Sequence, residues 1–381
     1  MLDFSFSEEH ETLRQVVREF SLEELLPRYA EWDRTGKFPR ELWRRMGELG
    51  LTGIAVPTEY GGAGAGYVAA GIAAEEAGRG DFSCAYAVML NGLIGEVLNR
   101  HGSDEVKREF LAPMARGEKI MALAITEPDA GSDAAGIKTT AVREGDEYIL
   151  NGEKSGISLA GAADAMVLFA KTDPTQRSRG VTAFVVPLDL PGVSRTTYND
   201  MGNRGVGRGS IFLDQVRIPV RYRLGEEGQG FYKVMNGFDF SRALIALQCL
   251  GAAEQSLEET IRHVKEREAF GKPLNSFQGV SFLIAEHHAY IELVRWYAYR
   301  TLWLREQNLP HTKEAAICKW LGPKVAREAI HDCLLLHGHY GYTQELPLEQ
   351  RLRDVIGLEI GDGTAQIQKL VISRALMGRE K

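Results

Sequence analysis

The 381-residue sequence predicts an α+β fold: an N-terminal all-α domain, a middle domain of antiparallel strands forming a barrel or sandwich, and a C-terminal four-helix bundle. Three changes of pattern carry this prediction. Helical periodicity fills the first third, short β-branched segments replace it near Ile120, and the helical period returns after Gly228. The corresponding domains are 1–118, 119–228 and 229–381, and a chain of this length can bury a large core.

Ser7 followed by Glu8, Glu9 and Glu11 reads as a helix start, with acids set against the positive end of the helix dipole. Pro39 opens a helix over ELWRRMGELG that stops at Gly50. Tyr67–Gly78 is Ala-rich, and Asp104–Ala115 forms a further helix. In the middle third, MALAIT, TTAVREGDEYILNGEK, AMVLFAKT, GVTAFVVPL and GSIFLDQVRIP follow one another without helices between them, as antiparallel strands do. Asn151-Gly152 carries a hairpin signal. Beyond it, Phe231–Phe270 reads as one long helix closed by Gly271 and Pro273, with Ser276 capping a second that runs to Asn308. Thr312–Leu336 is a third, with Pro323 predicting a kink, and a fourth starts after Gly363.

Composition narrows the function classes. A net charge of −7 argues against a nucleic-acid binder, although local Arg side chains and helix N-termini can still hold anionic ligands. Cys84, Cys249, Cys318 and Cys333 are far apart and form no Cys-x-x-Cys pair, so neither a disulfide framework nor a zinc site is expected. The start MLDFSFSEEHETLRQ is acidic and amphipathic, unlike a targeting peptide, and no apolar run is expected to reach membrane-spanning length. These features predict a cytoplasmic protein with no membrane span.

Five segments invite a chemical reading. Gly64-x-Gly66-x-x-Ala69 imitates a dinucleotide fingerprint after the strand-like LTGIAVP, but Pro57, Glu59 and Tyr60 intervene and no second parallel strand follows. His287, His288, His331, His337 and His339 match no metal-binding helix, so no metal is expected. The run Ala124–Asp133, AITEPDAGSD, is a strand entering a tight turn of small polar residues; its exposed hydroxyls and amides suit a polar ring or phosphate, and an ordinary Asp/Ser-stabilised turn would read the same way. Arg267–Gln278, REAFGKPLNSFQ, sets an Arg and an aromatic at a helix–loop–helix junction that could grip a pyrophosphate, while Gly271 and Pro273 suffice for a capped helix end. Finally, in Gly361-Asp-Gly-Thr364 either Asp362 or Thr364 could cap the next helix, yet a carboxylate between two glycines at the mouth of a bundle is also a candidate base.

Taken together, TEPDAGSD, the Arg267–Gln278 junction and RLRDVIGLEIGDGTAQIQ, in that order, resemble the acyl-CoA dehydrogenase family over essentially the whole chain. The resemblance implies an FAD enzyme that dehydrogenates an acyl-CoA thioester, passes electrons to an electron-transferring flavoprotein and assembles as a homotetramer. It implies that Thr126 and Ser158 contact the flavin ring and that Ser132 serves both cofactor and substrate. It also implies that Arg267, Phe270 and Gln278 hold the FAD of the adjacent subunit while Thr364 and Gln366 meet it from this one. Asp239, Arg242 and Gly361 would line the acyl-CoA channel, although an Asp239–Arg242 pair is equally what i,i+3 helix spacing produces. In the family a carboxylate takes the α-proton while hydride leaves Cβ for flavin N5. The enolate oxygen is then held by a ribityl hydroxyl and the amide of the base residue.

This sequence departs from the family pattern at the base. Asp362 stands where Glu is usual, which withdraws the carboxylate by about 1.5 Å, and a misplacement of ~1 Å can cost about 100-fold in rate. The other family position for the base, just before Arg242, is Ser241. Gly156 replaces a Trp found beside the flavin in many members, Gly361 an aromatic, Leu335 a flavin-contacting Gln, and His339 a Gly. Two missing rings predict a wide pocket and an alicyclic or branched acyl group, of the cyclohexanecarboxyl-CoA kind, with enlargement of residue 156 hurting cyclic more than linear substrates. Two alternatives remain: a nitroalkane oxidase-like enzyme using Asp362 as base, and a non-catalytic flavin-binding relative.

Overall fold

A computed structural model of the chain describes residues 5–36 and 39–378, apart from the side chains of 233 and 234. The outer ends of the expected domains, 1–4 and 379–381, lie outside the described residues, as does the start of the acidic N-terminal segment.

The first third is helical. Helix α1 (Glu8–Phe20) begins where expected: the Ser7 hydroxyl accepts the His10 amide at 3.2 Å, and Glu8, Glu9 and Glu11 fill the first turn. After α2 (Tyr29–Thr35) and α3 (Arg40–Glu48), the strand-like LTGIAVP forms a 3₁₀ turn at Leu51–Gly53 instead of a strand. The glycines at 64 and 66 therefore lack the strand that a dinucleotide fingerprint needs. Helix α4 (Gly66–Gly80) is buried from Val68 to its end, polar residues included. Its Ala and Gly side chains let neighbours approach on every face, and its charges are paired: Arg18 binds Glu76 through two contacts of 2.8 Å, and Arg295 reaches Glu75 at 2.5 Å.

Helix α5 (Phe82–His101) starts on Asp81, whose carboxylate accepts the Cys84 amide at 2.7 Å. It overturns one expectation: over 20 residues, with a mean hydropathy of 1.2 in its most apolar window, it is long and apolar enough to cross a membrane. Here 78% of that window is buried by protein, so its apolar surface is already covered. Asp104–Ala115 follows as α6 (Asp104–Val106), a π turn and α7 (Ala112–Ala115).

Strands β1 (Met121–Ala124), β2 (Thr140–Glu144), β3 (Glu147–Ile157), β4 (Ala165–Lys171), β5 (Val181–Pro187), β6 (Val193–Arg195), β7 (Gly209–Pro219) and β8 (Arg223–Leu224) form one sheet in the order β6-β7-β3-β2-β4-β5-β8, with β1 also on β4. Most pairs are antiparallel, but β1 and β2 both run parallel to β4. The connection between β1 and β2 is long enough to carry the chain across, as parallel neighbours require.

The expected hairpin turn at Asn151-Gly152 is displaced. Register pairs Glu144 with Glu147, so the turn is Gly145-Asp146, with Gly145 at φ +61°. Asn151 and Gly152 lie inside β3, at a register shift against β7, where a Cβ on Gly152 would come within 2.6 Å of Thr139 Oγ1. The small residue answers a bulge and a close approach, not a turn.

The last third is a helix bundle. Helix α8 (Gly230–Glu266) ends four residues before the expected Phe270, and a small hairpin follows of β9 (Glu268–Ala269) and β10 (Lys272–Pro273). Its turn is Phe270-Gly271, at φ +54° and +77°. Helix α9 (Gln278–Glu306) is preceded at its cap position by Phe277; Ser276 donates instead to the Pro273 carbonyl at 2.6 Å. Helix α10 (Thr312–Leu336) has the expected bounds and continues unbroken through Pro323. Before Gly361 the chain forms one more helix than the four expected, α11 (Leu348–Ile360), and α12 (Ala365–Met377) follows.

Close helix crossings depend on small residues. A Cβ on Gly322 of α10 would lie 2.5 Å from Ala246 Cα on α8, and one on Gly251 of α8 would lie 1.9 Å from the Glu75 carbonyl. Gly322→Ala is expected to destabilise by about 1–3 kcal/mol through overpacking, more than the ~1 kcal/mol helix-propensity gain. Urea unfolding checks this: stability equal to or above the parent's would mean that α8 and α10 separate without penalty.

Candidate functional site

A cavity of about 290 Å³ opens where the sheet meets the bundle, with α5 forming a third wall. Thr126, Ser132 and Ser158 border it from the sheet side, and Arg242, Gly361 and Asp362 from the helices. These segments, far apart in sequence, are thus brought to one place.

The Gly361–Thr364 loop resolves its own ambiguity. Thr364 is the cap of α12, its hydroxyl accepting the Ile367 amide at 3.4 Å. The Asp362 carboxylate is therefore free of capping, and its Oδ2 accepts the Ser241 hydroxyl at 2.8 Å. The backbone at Asp362 is left-handed (φ +53°), followed by Gly363 at +90°. An L side chain in that region is held at some expense, and the surroundings show how. Lys319 of α10 donates to the Leu358 and Gly363 carbonyls at 2.6 and 3.3 Å. Gln368 of α12 donates to the Asp362 and Gly363 carbonyls at 3.1 and 3.0 Å. Both side chains are fully buried.

Burial raises the Asp362 pKa above the usual carboxylate range, opposed by the Ser241 hydrogen bond and by the charges of Lys319 and Arg242. Burial also pushes the Lys319 ammonium down to about 8, against the pull of Asp362. Across the cavity Ser158 donates to the Tyr86 phenol at 3.0 Å, and burial followed by the nearby Asp362 charge holds that phenol up at about 12.

The sheet-side wall rests on a buried ion pair. Lys154, fully buried on β3, donates to the Ile125 carbonyl at 2.9 Å and to Glu127 at 2.8 Å; Glu127 also accepts the amides of Lys138 and Thr139 at 2.5 and 3.0 Å. This cluster fixes the backbone on both sides of Thr126, whose hydroxyl meets no protein group among the described residues. Cβ atoms added at Gly131 or Gly156 would meet nothing within 4 Å. Gly156, however, sits at φ +65°, with its amide donating to the Tyr198 hydroxyl at 3.3 Å. Any enlarged residue 156 would therefore be strained by its backbone as well as by bulk. Gly361 is the cleaner position, because its φ of −58° is ordinary and a Cβ there meets its nearest neighbour at 3.7 Å.

Arg242 joins this cavity to a second cleft of about 860 Å³, lined also by Asp239, Arg305, His311 and Arg374; Phe231 and Met235 border both. Arg242 pairs with Asp239 at 3.0 Å, and Thr312 donates to the same carboxylate at 2.5 Å. The expected i,i+3 pair is present, but it is buried, and the Arg242 Nε has no partner among the described residues.

Arg267, Phe270, Gln278, Thr364 and Gln366 do not border the cavity. Arg267 and Gln278 are exposed beside the β9–β10 hairpin, and Phe270 is 95% exposed at its tip. Sequence reasoning passed over Lys319, Gln368, Tyr86, Lys154 and Glu127. The signal for Lys319 and Lys154 was present: each is a cation on a face whose period is otherwise apolar, as in AAICKWLG.

Profiles of three domains match this chain in order: acyl-CoA dehydrogenase N-terminal domain over residues 7–118, middle domain over 122–216, and C-terminal domain over 228–377. The chain belongs to the acyl-CoA dehydrogenase family. It is 38% identical to the short-chain specific acyl-CoA dehydrogenase of Clostridium acetobutylicum, covering 98% of this chain and 99% of that one. It is 36% identical to the caffeyl-CoA reductase–Etf complex subunit CarC of Acetobacterium woodii, over 98% and 99%. Butyryl-CoA dehydrogenase from Megasphaera elsdenii has the same fold, with a TM-score of 0.96, 32% identity and coverage of 99% and 100%.

Like other acyl-CoA dehydrogenases the protein is an FAD-dependent oxidoreductase. The cavity fits that cofactor: an unpartnered Thr126 hydroxyl and two glycines facing open space give a planar ring system a bare, polar edge to lie against.

Proposed function

We propose that this enzyme dehydrogenates an alicyclic or branched acyl-CoA, with Asp362 taking the α-proton. The observation that carries this reading is that the Asp362 carboxylate faces the cavity with capping left to Thr364. Burial lifts its pKa above the usual carboxylate range, the direction in which a carboxylate becomes a better base. The Asp362 amide donates to no protein group among the described residues, and so is available to the oxygen of the developing enolate. FAD, when bound, supplies the acceptor for the hydride that leaves Cβ, so the thioester becomes an enoyl thioester.

Thr126, Ser132 and Ser158 are assigned to the flavin edge, with Ser132 also reaching substrate beside Gly361. Arg242, with its unpartnered Nε, and Asp239 mark the passage to the second cleft, whose Arg305, His311 and Arg374 suit the phosphates of CoA. Thr364 and Gln366 would meet FAD from this chain, and Arg267, Phe270 and Gln278 the FAD of a neighbour in a homotetramer. A phenylalanine held in a left-handed turn and 95% exposed supports an intersubunit role, as does the exposure of Phe282, Tyr290 and Leu293 on α9. The kinship with an Etf-complex subunit supports an electron-transferring flavoprotein as redox partner.

The test is anaerobic: linear, branched and cyclic acyl-CoAs are mixed with the purified protein while flavin bleaching is followed. Selective bleaching by branched or cyclic thioesters is expected. Bleaching by linear chains alone would keep the dehydrogenase and remove the wide pocket; bleaching by none would point to a nitroalkane oxidase-like or non-catalytic relative. Gly361→Tyr, which fills the cavity from an unstrained position, is expected to lower the rate with a cyclic substrate at least about 10-fold more than with a linear one. Equal losses would remove the argument from space.

A further inference from the structure

We propose that Ser241 is a positioning residue for the Asp362 carboxylate, donating the hydrogen bond that decides which carboxylate oxygen is presented to the acyl group. The proposal rests on the reading of Asp362 as base. Ser241 is fully buried on α8, and its Oγ lies 2.8 Å from Asp362 Oδ2 and 3.3 Å from the Phe238 carbonyl. The shorter contact, to an anion, is the stronger acceptor for its single proton.

The loop backbone is already held by Lys319 and Gln368 through three carbonyls. What remains to be set is the side-chain torsion, and Ser241 sets it. Oδ1 has no protein donor among the described residues, so it is the oxygen left to accept a proton. A short carboxylate depends on this more than a long one, since it has fewer torsions with which to recover a misaligned approach. The family's other position for a base is thus occupied here by a group that serves the first.

The same bond favours the ionised carboxylate, so its loss moves the base pKa further up. The charged groups that act on Asp362 are Lys319 on α10 and Arg242 on α8, while Tyr86 on α5 and Asp133 and Arg208 border the same cavity and Glu359 on α11 acts on Lys319. Ser241→Ala leaves all of them in place.

Ser241→Ala removes the donor at almost constant volume, and Ser241→Thr keeps it; FAD content and Tm report folding. With FAD bound, Ser241→Ala is expected to slow flavin bleaching about 10-fold and to raise the midpoint of its pH profile by about one unit. Ser241→Thr is expected to return the midpoint toward the parent's. A readout independent of turnover is the infrared band of the protonated Asp362 carboxyl, identified by its loss in Asp362→Asn, which should titrate at higher pH in Ser241→Ala. Unchanged rate and unchanged midpoints in a folded variant would overturn the proposal. If Ser241→Ala loses FAD, Ser241→Cys, a weak donor of similar size, carries the same comparison. Asp362→Asn separates the two ideas: parental bleaching would overturn the base assignment and this inference with it. An inactive Asp362→Asn beside a parental Ser241→Ala would overturn only the role of Ser241.

Discussion

Asp362→Asn is expected to lower the rate of flavin bleaching by acyl-CoA by about 10²–10⁴-fold, the usual contribution of a positioned general base. Asn keeps the side-chain volume and an oxygen able to accept from Ser241, so the loop held by Lys319 and Gln368 should stand and FAD should stay bound. The parent's rate should rise with pH, because a carboxyl of raised pKa becomes a base only once pH passes that value; the variant should show no such limb. Asp362→Glu is the sharper companion. It extends the carboxylate by about 1.5 Å, past the Ser241 hydroxyl and further into the cavity that Asp362 borders. Its expected signature is a crossing of preference, with linear thioesters gaining and ring-bearing ones losing about 10–100-fold. Stopped-flow bleaching with matched linear and cyclic thioesters measures both. Parental rates in Asp362→Asn would place the base elsewhere, and a uniform effect in Asp362→Glu would separate base length from substrate choice.

The two readings of Gly361–Thr364 show what sequence can and cannot decide. Asp, Gly and Thr before a helix all satisfy capping rules, and only the bond from Ile367 to Thr364 shows which residue does the work. The three-part fold was legible because periods of 3.6 and 2 change at Ile120 and Gly228, and burial enforces those periods along each whole element. Asn151-Gly152 misled because a hairpin signal is local, whereas Gly152 is small on account of Thr139 on a neighbouring segment. Helix α5 does not read as an apolar span because Asn91, Gly92, Gly95 and Glu96 interrupt its pattern, although its average is high enough. Lys319 and Lys154 went unread for the opposite reason. A lone Lys usually marks a solvated face, and the carbonyls and carboxylate that justify burying these two come from 27 to 44 residues away.

Of the two, Lys154 carries the larger stability prediction. Removing it in Lys154→Ala leaves Glu127 buried, with amide donors but no countercharge, and breaking such a pair costs about 3–5 kcal/mol. Against burial, which pushes it up, the Lys154 charge and hydrogen bond together with the Thr139 and Lys138 bonds hold Glu127 below its usual pKa; without Lys154 the buried carboxylate must either stay charged with no countercharge or take up a proton, and either costs stability. The double variant Glu127→Gln with Lys154→Met removes both charges at similar volume, and is expected to recover most of that loss. Urea unfolding of the single and double variants gives the coupling directly. The consequence for the site follows from the bond between Lys154 and the Ile125 carbonyl, one residue before Thr126. Without it the turn that presents Thr126 and Ser132 loses its anchor, and Lys154→Ala and the double variant, which lacks the same bond, should both retain less FAD than the parent at equal temperature. A single variant as stable as the parent would mean that Glu127 accepts a proton or water at little cost. FAD retention equal to the parent's in both variants would mean that the cavity edge is held by the sheet alone.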